Sequence, residues 1–257
     1  MPPPRDPLPT RVDLTPDLPS GYEHALDGGL RSLGLRLPPQ ARAAIDGHVR
    51  LLLAWTAAIN LTAIRDPFEV ATAHVVDSLS AVPLLRARGI DRFVDLGSGG
   101  GYPGLPLAVA VPGARALLLE PIAKKARFLE TVVEATGVGG AVDVAAVRAE
   151  ALASDPRHRG RWPAVTVRAV GSLPELVELA FPLLDRGGLL VAWKRGDLRT
   201  ELAAARRAVD ALGGGTLETL APDVPGLPRH RLVLATRTGS VPDAYPRDPA
   251  VRRRQVW

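Results

Sequence analysis

The chain has 257 residues, of which 46% are hydrophobic and 23% charged, a balance typical of a soluble globular protein with a substantial core. It contains no cysteine, which excludes disulfides, thiolate metal sites and cysteine nucleophiles and suits the cytoplasm. The net charge of +5 favours a polyanionic partner, and no apolar run approaches the length of a membrane span, so we expect no membrane association.

The N-terminal part of the chain is predicted to be a tail followed by a helical extension. Residues 1–24 are rich in proline and lack the apolar stretch of a secretory signal, which predicts a disordered tail. Residues 25–88 are predicted to form the extension. Within it, apolar residues recur at helical spacing from Gln40 to Ile59, which indicates an amphipathic helix that packs on the main domain.

A second helix of the extension is predicted to begin at Asp66-Pro67, a capping residue followed by a proline suited to the first helical position. We expect it to run to about Val82. Three polar side chains share one face of this helix by their spacing: His74, Asp77 and Ser78. That face either forms an internal hydrogen-bonded surface or closes over a ligand.

After Gly89, short apolar runs alternate with helical segments as far as residue 238, which predicts a parallel sheet with helices on both faces. No helix separates the last two strands, so they are expected to form an antiparallel hairpin at one edge. The predicted strands are Arg92–Leu96, Arg115–Leu119, Val142–Ala146, Ala164–Arg168, Leu189–Trp193, Thr216–Leu220 and Arg231–Thr236. The predicted helices are Pro103–Ala110, Ile122–Thr136, Leu173–Leu184 and Leu198–Leu212, with a weak turn near Glu150.

The motif with the most chemical information is the glycine-rich segment DLGSGGGYPG at residues 95–104. A strand is predicted to end at Leu96 and a helix to begin at Pro103. The glycines between them let the backbone turn sharply and approach a ligand. Such a turn between strand and helix is typical of nucleotide-binding α/β domains.

Two cofactor classes compete for this loop. The set Gly97, Gly99 and Gly101, preceded by Asp95, resembles the methyltransferase loop that holds the amino-acid end of S-adenosylmethionine. The set Gly99, Gly101 and Gly104, with an acid about twenty residues on, matches the dinucleotide fingerprint of a nicotinamide-dependent oxidoreductase. Position favours the methyltransferase frame, because Gly97 directly follows the strand whereas Gly99 lies further along the chain.

Two carboxylates near the loop are candidate cofactor residues. Asp95 is expected to orient the loop or the ammonium group of the cofactor. Glu120, at the end of the second strand, is expected to bind both ribose hydroxyls. The alternative for Glu120 is a surface acid beside a proline.

Ordered segments along the chain resemble the bacterial small-subunit ribosomal RNA guanine-N7 methyltransferases, also called the glucose-inhibited division protein B family. The segments are Asn60-Leu61-Thr62, Arg65-Asp66-Pro67, His74 to Ser78, DLGSGGGYPGLPL, KKARFL, Arg148-Ala149-Glu150, Val167-Arg168-Ala169 and Ala192-Trp193-Lys194. The resemblance covers about Ile45 to Thr236. It implies a class I S-adenosylmethionine-dependent methyltransferase: a Rossmann-like α/β fold with a seven-stranded, mostly parallel sheet, an antiparallel edge hairpin and an N-terminal helical extension.

The resemblance also implies a set of S-adenosylmethionine contacts. They are Gly97, Tyr102, Glu120, Pro121, Ile122, Ala149, Glu150 and Arg168, together with the loop residues Asp95, Gly99 and Gly101. Tyr102 replaces the Phe or Leu usual at its place, which leaves the role of its hydroxyl open. Glu150 has the alternative of starting a helical turn, and Arg168 that of a structural salt bridge.

The chemistry of the implied target needs no catalytic base, because guanine N7 already presents a lone pair and the reaction requires alignment. Arg168 and Lys194 are therefore predicted to position the reactants rather than to move protons. Methylation at C5 of a pyrimidine commonly uses a cysteine, which this chain lacks. Methylation of an amino group usually requires an Asn or Asp, Pro-Pro, aromatic motif where this chain has Arg168-Ala169-Val170-Gly171.

The expected partner is ribosomal RNA or the small ribosomal subunit. The candidate RNA-binding residues are Lys124, Lys125, Arg127 and Lys194, and the alternative for the first three is a solvated helix face. Residues 239–257 are predicted to be a basic tail whose Arg252 to Arg254 either stay solvated or contact phosphate. We expect a monomer without metal or DNA binding. Action on another RNA and a noncatalytic RNA-binding role remain as alternatives.

Overall fold

The structure, a computed structural model, describes residues 7–255 and residue 257 and contains one seven-stranded sheet. The strands are β1 (Arg92–Leu96), β2 (Arg115–Leu119), β3 (Val142–Ala145), β4 (Trp162–Arg168), β5 (Leu184–Arg195), β6 (Gly215–Leu220) and β7 (His230–Arg237). Their order is β3-β2-β1-β4-β5-β7-β6. The first five strands pair in parallel and β7 runs antiparallel to both neighbours. The predicted sheet and edge hairpin are therefore confirmed.

The helices before the sheet are α1 (Ser20–Ser32), α2 (Pro39–Ile59), α3 (Pro67–Val70), a π-helix (Ala71–Val76), α4 (Asp77–Leu79) and α5 (Val82–Ala87), preceded by a 3-10 turn at Val12–Leu14. Those that follow are α6 (Gly104–Ala110), α7 (Ala123–Thr136), α8 (Ala149–Ser154), α9 (Leu173–Ala180), α10 (Arg199–Ala211) and α11 (Pro249–Arg254). The Asp66 carboxylate accepts a hydrogen bond from the Phe68 amide at 2.8 Å, as expected for the cap of the second helix of the extension.

The two faces of the sheet bury two separate hydrophobic cores, because successive strand residues point to opposite sides. Phe93 packs in the core shared with α1, α2, α6 and α7, whereas its neighbour Val94 packs in the core shared with α9 and α10. The helical extension thus covers one face of the sheet and reaches the edge where the parallel strands end.

The stretch Pro67–Ala87 is long and apolar enough, by length and composition alone, to cross a membrane. This differs from the expectation that no apolar run approaches that length. Of its most apolar window, 61% is buried inside the protein. Such burial is the pattern of a core helix, whose apolar side chains pack within the protein.

The predicted disordered tail at residues 1–24 is wrong from residue 7 onward, and residues 1–6 lie outside the described part. The chain from residue 7 packs against α2, and α1 begins at Ser20. The Trp55 indole donates to the Pro9 carbonyl at 2.7 Å, and the Arg50 guanidinium donates to the Thr15 hydroxyl at 3.1 Å. Side-chain donors on α2 therefore supply hydrogen bonds to oxygen atoms of a proline-rich segment that forms few hydrogen bonds of its own.

The predicted basic C-terminal tail also packs against the domain. Arg247 forms an ion pair with the Glu178 carboxylate on α9, whose side chain is completely buried. Arg252 on α11 pairs with Glu150 on α8 at 2.6 Å. Arg252 was predicted to stay solvated or to contact phosphate, but it instead pairs with the partly exposed Glu150 carboxylate. The buried Glu178 carboxylate requires a cationic partner, which Arg247 supplies.

Candidate active site

A cavity of about 770 Å³ opens where β1, β4 and β5 end, between the edge of the sheet and the helical extension. The extension contributes Thr62, His74 and Asp77, and the sheet edge contributes Gly97, Glu120 and Arg168. Ligands of open α/β sheets bind at this edge. The geometry therefore places the predicted site and the polar face of the second extension helix around one space.

The glycine loop forms the floor of the cavity. Gly97, Gly99 and Gly101 have φ values of +68°, +55° and +92°, a conformation that glycine adopts without steric cost. Residues 97–100 line the cavity, whereas Gly101 faces away from it. A side chain at Gly101 would meet the His48 ring at 2.8 Å. The absence of side chains thus lets the loop pass closely beneath α2.

Asp95 lies behind the loop and is fully buried. Its carboxylate accepts hydrogen bonds from the Thr166 hydroxyl at 2.7 Å and from the Gly104 amide at 3.2 Å. Burial raises the pKa of Asp95 to about 6, although these hydrogen bonds oppose the rise. These contacts support the loop-orienting role, because Asp95 is not among the residues that line the cavity.

Glu120 is a buried acid that faces the cavity, not a surface residue. One carboxylate oxygen accepts from the Gly99 amide at 3.0 Å and the other from the Ile122 amide at 2.8 Å. The side chain therefore ties the glycine loop to the turn after β2. A carboxylate has about four acceptor positions, so it retains capacity for hydroxyl donors of a ligand.

The remaining predicted cofactor residues lie outside the cavity wall. Pro121 and Ile122 are exposed after β2, Ala149 begins α8, and the Glu150 carboxylate accepts from Arg252. Sequence reasoning missed a related feature of this edge. Besides the predicted Ile122 after β2, two further large apolar side chains remain exposed, Val147 after β3 and Val170 after β4. Their signal in the sequence is an apolar residue two or three positions beyond a strand.

Arg168 ends β4 and crosses the cavity wall to the extension. Its guanidinium donates to the Ala73 carbonyl at 2.9 Å and to the Asp77 carboxylate at 3.1 Å. Its other terminal nitrogen lies 3.2 Å from Nδ1 of His74, whose Nε2 lies 2.7 Å from the Thr62 hydroxyl. Arg168 thus forms a structural salt bridge and lines the cavity at the same time.

Tyr102 is stacked between two neutral histidines. Its ring lies 4.5 Å from the His48 ring and 4.9 Å from the His74 ring, and the Arg168 guanidinium lies 5.3 Å from its centroid. Burial lowers the pKa of each histidine to about 4. His48 donates through Nε2 to the Gly100 carbonyl at 2.6 Å, so α2 holds the glycine loop directly. The Tyr102 hydroxyl has no hydrogen-bond partner among the described residues.

Asp77 also connects the extension to the edge hairpin. Its second carboxylate oxygen accepts from Nδ1 of His230, the first residue of β7, at 3.0 Å. Its backbone carbonyl accepts from the Trp193 indole at 2.8 Å. Sequence reasoning missed His230, because a histidine at a strand start far along the chain carries no local signal that it meets Asp77.

The sequence profile of the rRNA small subunit methyltransferase G family, GidB, matches residues 41–221, more than half of the chain. The chain belongs to this family. The ribosomal RNA small subunit methyltransferase G of Dehalococcoides mccartyi is 37% identical over 220 residues, which cover 85% of this chain and 93% of the relative. That of Rubrobacter xylanophilus is 41% identical over 205 residues, or 78% of each chain. The resemblance read from the motifs is confirmed.

Solved structures independently support the fold of this methyltransferase. An O-methyltransferase of Bacillus cereus in complex with SAH superposes with a TM-score of 0.56 at 16% identity, over 84% of this chain and all of that one. A cofactor-bound protein from MTB superposes with a TM-score of 0.55 at 19% identity, over 76% of this chain and 91% of that one. The class I methyltransferase fold and S-adenosylmethionine as the cofactor agree with these relationships.

The candidate RNA-binding residues of this methyltransferase separate into two groups. Lys125 and Lys194 line the cavity, whereas Lys124 and Arg127 are exposed on α7. Lys194 is held in place, because its ammonium lies 2.6 Å from the Glu201 carboxylate and donates to the Gly171 carbonyl at 2.9 Å. Two of these cations thus lie at the cavity, where Lys194 is fixed by its partners, and the other two face the solvent.

Proposed function

We propose that the protein transfers the methyl group of S-adenosylmethionine to N7 of a guanine in 16S ribosomal RNA. One observation carries the proposal. The cavity brings the glycine loop and the Glu120 carboxylate together with the cationic side chains of Arg168 and Lys194. The first pair suits the cofactor, and the second suits a base attached to an anionic backbone.

The residues at the floor of the cavity fit the cofactor. The left-handed glycines give the amino-acid end access to backbone groups, and Glu120 retains acceptor positions for the ribose hydroxyls. The exposed apolar side chains of Ile122, Val147 and Val170 lie at the same edge and suit the faces of adenine. When bound, S-adenosylmethionine supplies an electrophilic methyl group on a sulfonium.

The chain's own contribution is alignment. Guanine N7 attacks through its lone pair, so no proton has to leave in that step. His74 is neutral and fully hydrogen-bonded, and Asp77 already accepts from Arg168 and His230. These side chains therefore fix the cavity wall. The Asp77 carboxylate also offsets the positive charge that methylation leaves on the base.

RNA binding is assigned to the basic residues at the mouth of the cavity and on the neighbouring surface. Lys124, Lys125 and Arg127 present positive charge on α7, where phosphates of a flipped-out loop nucleotide can reach them. The further expectations of a monomer that acts in the cytoplasm, and of no binding to DNA or a membrane, belong to the same proposal.

The proposal is tested by nucleoside mass spectrometry of 16S RNA and of small subunits after incubation with the protein and S-adenosylmethionine labelled in its methyl group. We expect the label in 7-methylguanosine. Label in another nucleoside would overturn the N7 assignment, and absence of transfer to either substrate would overturn the enzymatic role. Calorimetry with S-adenosylmethionine, S-adenosylhomocysteine and NAD checks the cofactor separately. Binding of NAD alone would exclude a methyltransferase.

A further inference from the structure

His230 lies at the cavity through the topology of the edge hairpin. It begins β7 opposite Arg195, the last residue of β5, and its side chain lines the cavity with 20% of its surface exposed. The same cavity is lined by Arg168 and Lys194. A nucleobase that enters between these cations therefore meets the imidazole of His230.

Asp77 determines which ring nitrogen of His230 donates a hydrogen bond. The Asp77 side chain is 2% exposed, and its carboxylate accepts from Arg168 at 3.1 Å and from Nδ1 of His230 at 3.0 Å. Because a carboxylate only accepts, Nδ1 of His230 is the donor in this hydrogen bond, which selects the tautomer with the proton on Nδ1. Nε2 then keeps its lone pair, and no described residue donates to it.

This lone pair distinguishes His230 from the polar side chains near Arg168 and Lys194. Arg168, Lys194 and Lys125 only donate. Both ring nitrogens of His74 already have partners. The Asp77 carboxylate binds Arg168 and His230, and the Glu201 carboxylate binds Lys194. In this tautomer, Nε2 of His230 is therefore an acceptor without a hydrogen-bond partner among the described residues, on the side of the cavity proposed for the base.

We propose that His230 selects guanine by accepting a hydrogen bond from its 2-amino group through Nε2. The proposal rests on the function proposed above. Guanine carries its 2-amino group on the edge remote from N7, whereas adenine has no donor at that position. An acceptor fixed by a buried carboxylate therefore favours guanine when N7 faces the methyl donor.

The test uses an RNA substrate whose target guanosine is replaced by inosine, which lacks only the 2-amino group. For the wild type we expect kcat/KM to be about tenfold lower on inosine RNA, the effect of one lost hydrogen bond in a desolvated site. His230→Ala is expected to lose about tenfold on guanosine RNA and to process both RNAs equally, with unchanged affinity for S-adenosylmethionine. His230→Gln, which retains an acceptor, is expected to recover part of the discrimination.

His24→Ala provides a matched control, because His24 is an exposed histidine outside the cavity. It should keep the wild-type ratio between the two RNAs. The inference is overturned if the wild type does not discriminate, or if His230→Ala and His230→Gln keep the wild-type ratio. Failure of the proposed function looks different, since the wild type would then form no 7-methylguanosine at all.

Discussion

The Arg168 guanidinium and the Asp77 carboxylate lie 3.1 Å apart and join the end of β4 to the first residue of α4. Both side chains are largely withdrawn from water, with 15% and 2% of their surface exposed. The ion pair therefore fixes the helical extension over the cavity. One contact serves both the stability of the domain and the shape of the site.

Arg168→Ala is expected to lower both stability and turnover. Removal of the guanidinium leaves the Asp77 carboxylate buried without its cation, which costs about 3 kcal/mol in the free energy of unfolding. Adding Asp77→Asn should restore part of this loss, because the amide carries no charge. Turnover should stay low in both variants, since neither aligns the reactants. Urea denaturation and single-turnover rates at saturating RNA measure the two effects. An Arg168→Ala enzyme with unchanged rate and cofactor affinity would reduce Arg168 to a structural residue.

Gly97→Ala is expected to weaken the fold as well as the binding of S-adenosylmethionine. The residue has a φ of +68°, and a side chain there would lie 2.7 Å from the Val170 side chain. A left-handed alanine costs about 1–2 kcal/mol before any steric overlap. Val170→Ala in the same chain should relieve the overlap but should not restore affinity, because the new methyl group still occupies the loop surface.

Gly113→Ala is the matched control for this loop. Gly113 has a φ of +72° with no atom near its missing side chain, so the variant measures backbone strain alone. Thermal denaturation without ligand and calorimetry with S-adenosylmethionine separate the contributions. Equal stability of Gly97→Ala and Gly113→Ala would show that Val170 moves aside without cost.

The sheet and most helices were predictable because their signals are local. The alternation around Phe93 and Val94 and the glycine turn at Gly97 follow from neighbours in the sequence. The boundaries differ where tertiary pairing extends an element, as in β5, which begins at Leu184 rather than Leu189. Its extension is paired with Trp162 of β4.

The missed parts of the site depend on contacts between distant segments. His48 lies on the buried face of a correctly predicted helix, but its partner, the Gly100 carbonyl, is 52 residues away. His230 meets Asp77 across 153 residues. Arg252 was expected to stay solvated or to contact phosphate, because composition does not reveal that it pairs with Glu150, 102 residues away.

The buried His48 is expected to make the folded protein less stable in mild acid. Burial lowers its pKa in the folded protein to about 4, whereas the unfolded chain has the ordinary value of 6.5. The unfolded state therefore binds more protons between these values. The contribution is complete above pH 6.5 and is lost as the pH falls toward 4. His74, whose pKa is also lowered to about 4, likewise destabilises the protein as the pH falls. Asp95 has the opposite effect: its pKa is raised to about 6, so its contribution to the stability of the protein is lost as the pH rises toward that value.

His48→Gln isolates the His48 contribution, because glutamine can donate to the Gly100 carbonyl and does not titrate. His74 and Asp95 are common to both proteins, so their effects cancel in the difference. We expect the wild type to lose about 1.6 kcal/mol relative to His48→Gln between pH 6.5 and pH 5. Urea denaturation at several pH values measures this difference. A difference that stays constant with pH would show that His48 becomes protonated within the fold.

The C-terminal segment is expected to stabilise the domain through Arg247. Its guanidinium donates to both oxygens of the Glu178 carboxylate, and the Trp257 indole donates to one of them at 3.0 Å. Glu178 is completely buried, so Arg247→Ala leaves a charge without its cation and should lower the free energy of unfolding by about 3 kcal/mol. Arg253→Ala, an exposed neighbour on α11, should change it by less than about 0.5 kcal/mol. Glu178→Gln combined with Arg247→Ala should recover part of the loss, because the buried charge is then absent. Urea denaturation of the wild type and these three variants measures the contribution of Arg247. An equal effect of Arg247→Ala and Arg253→Ala would mean that the C-terminal segment adds nothing to the stability of the domain.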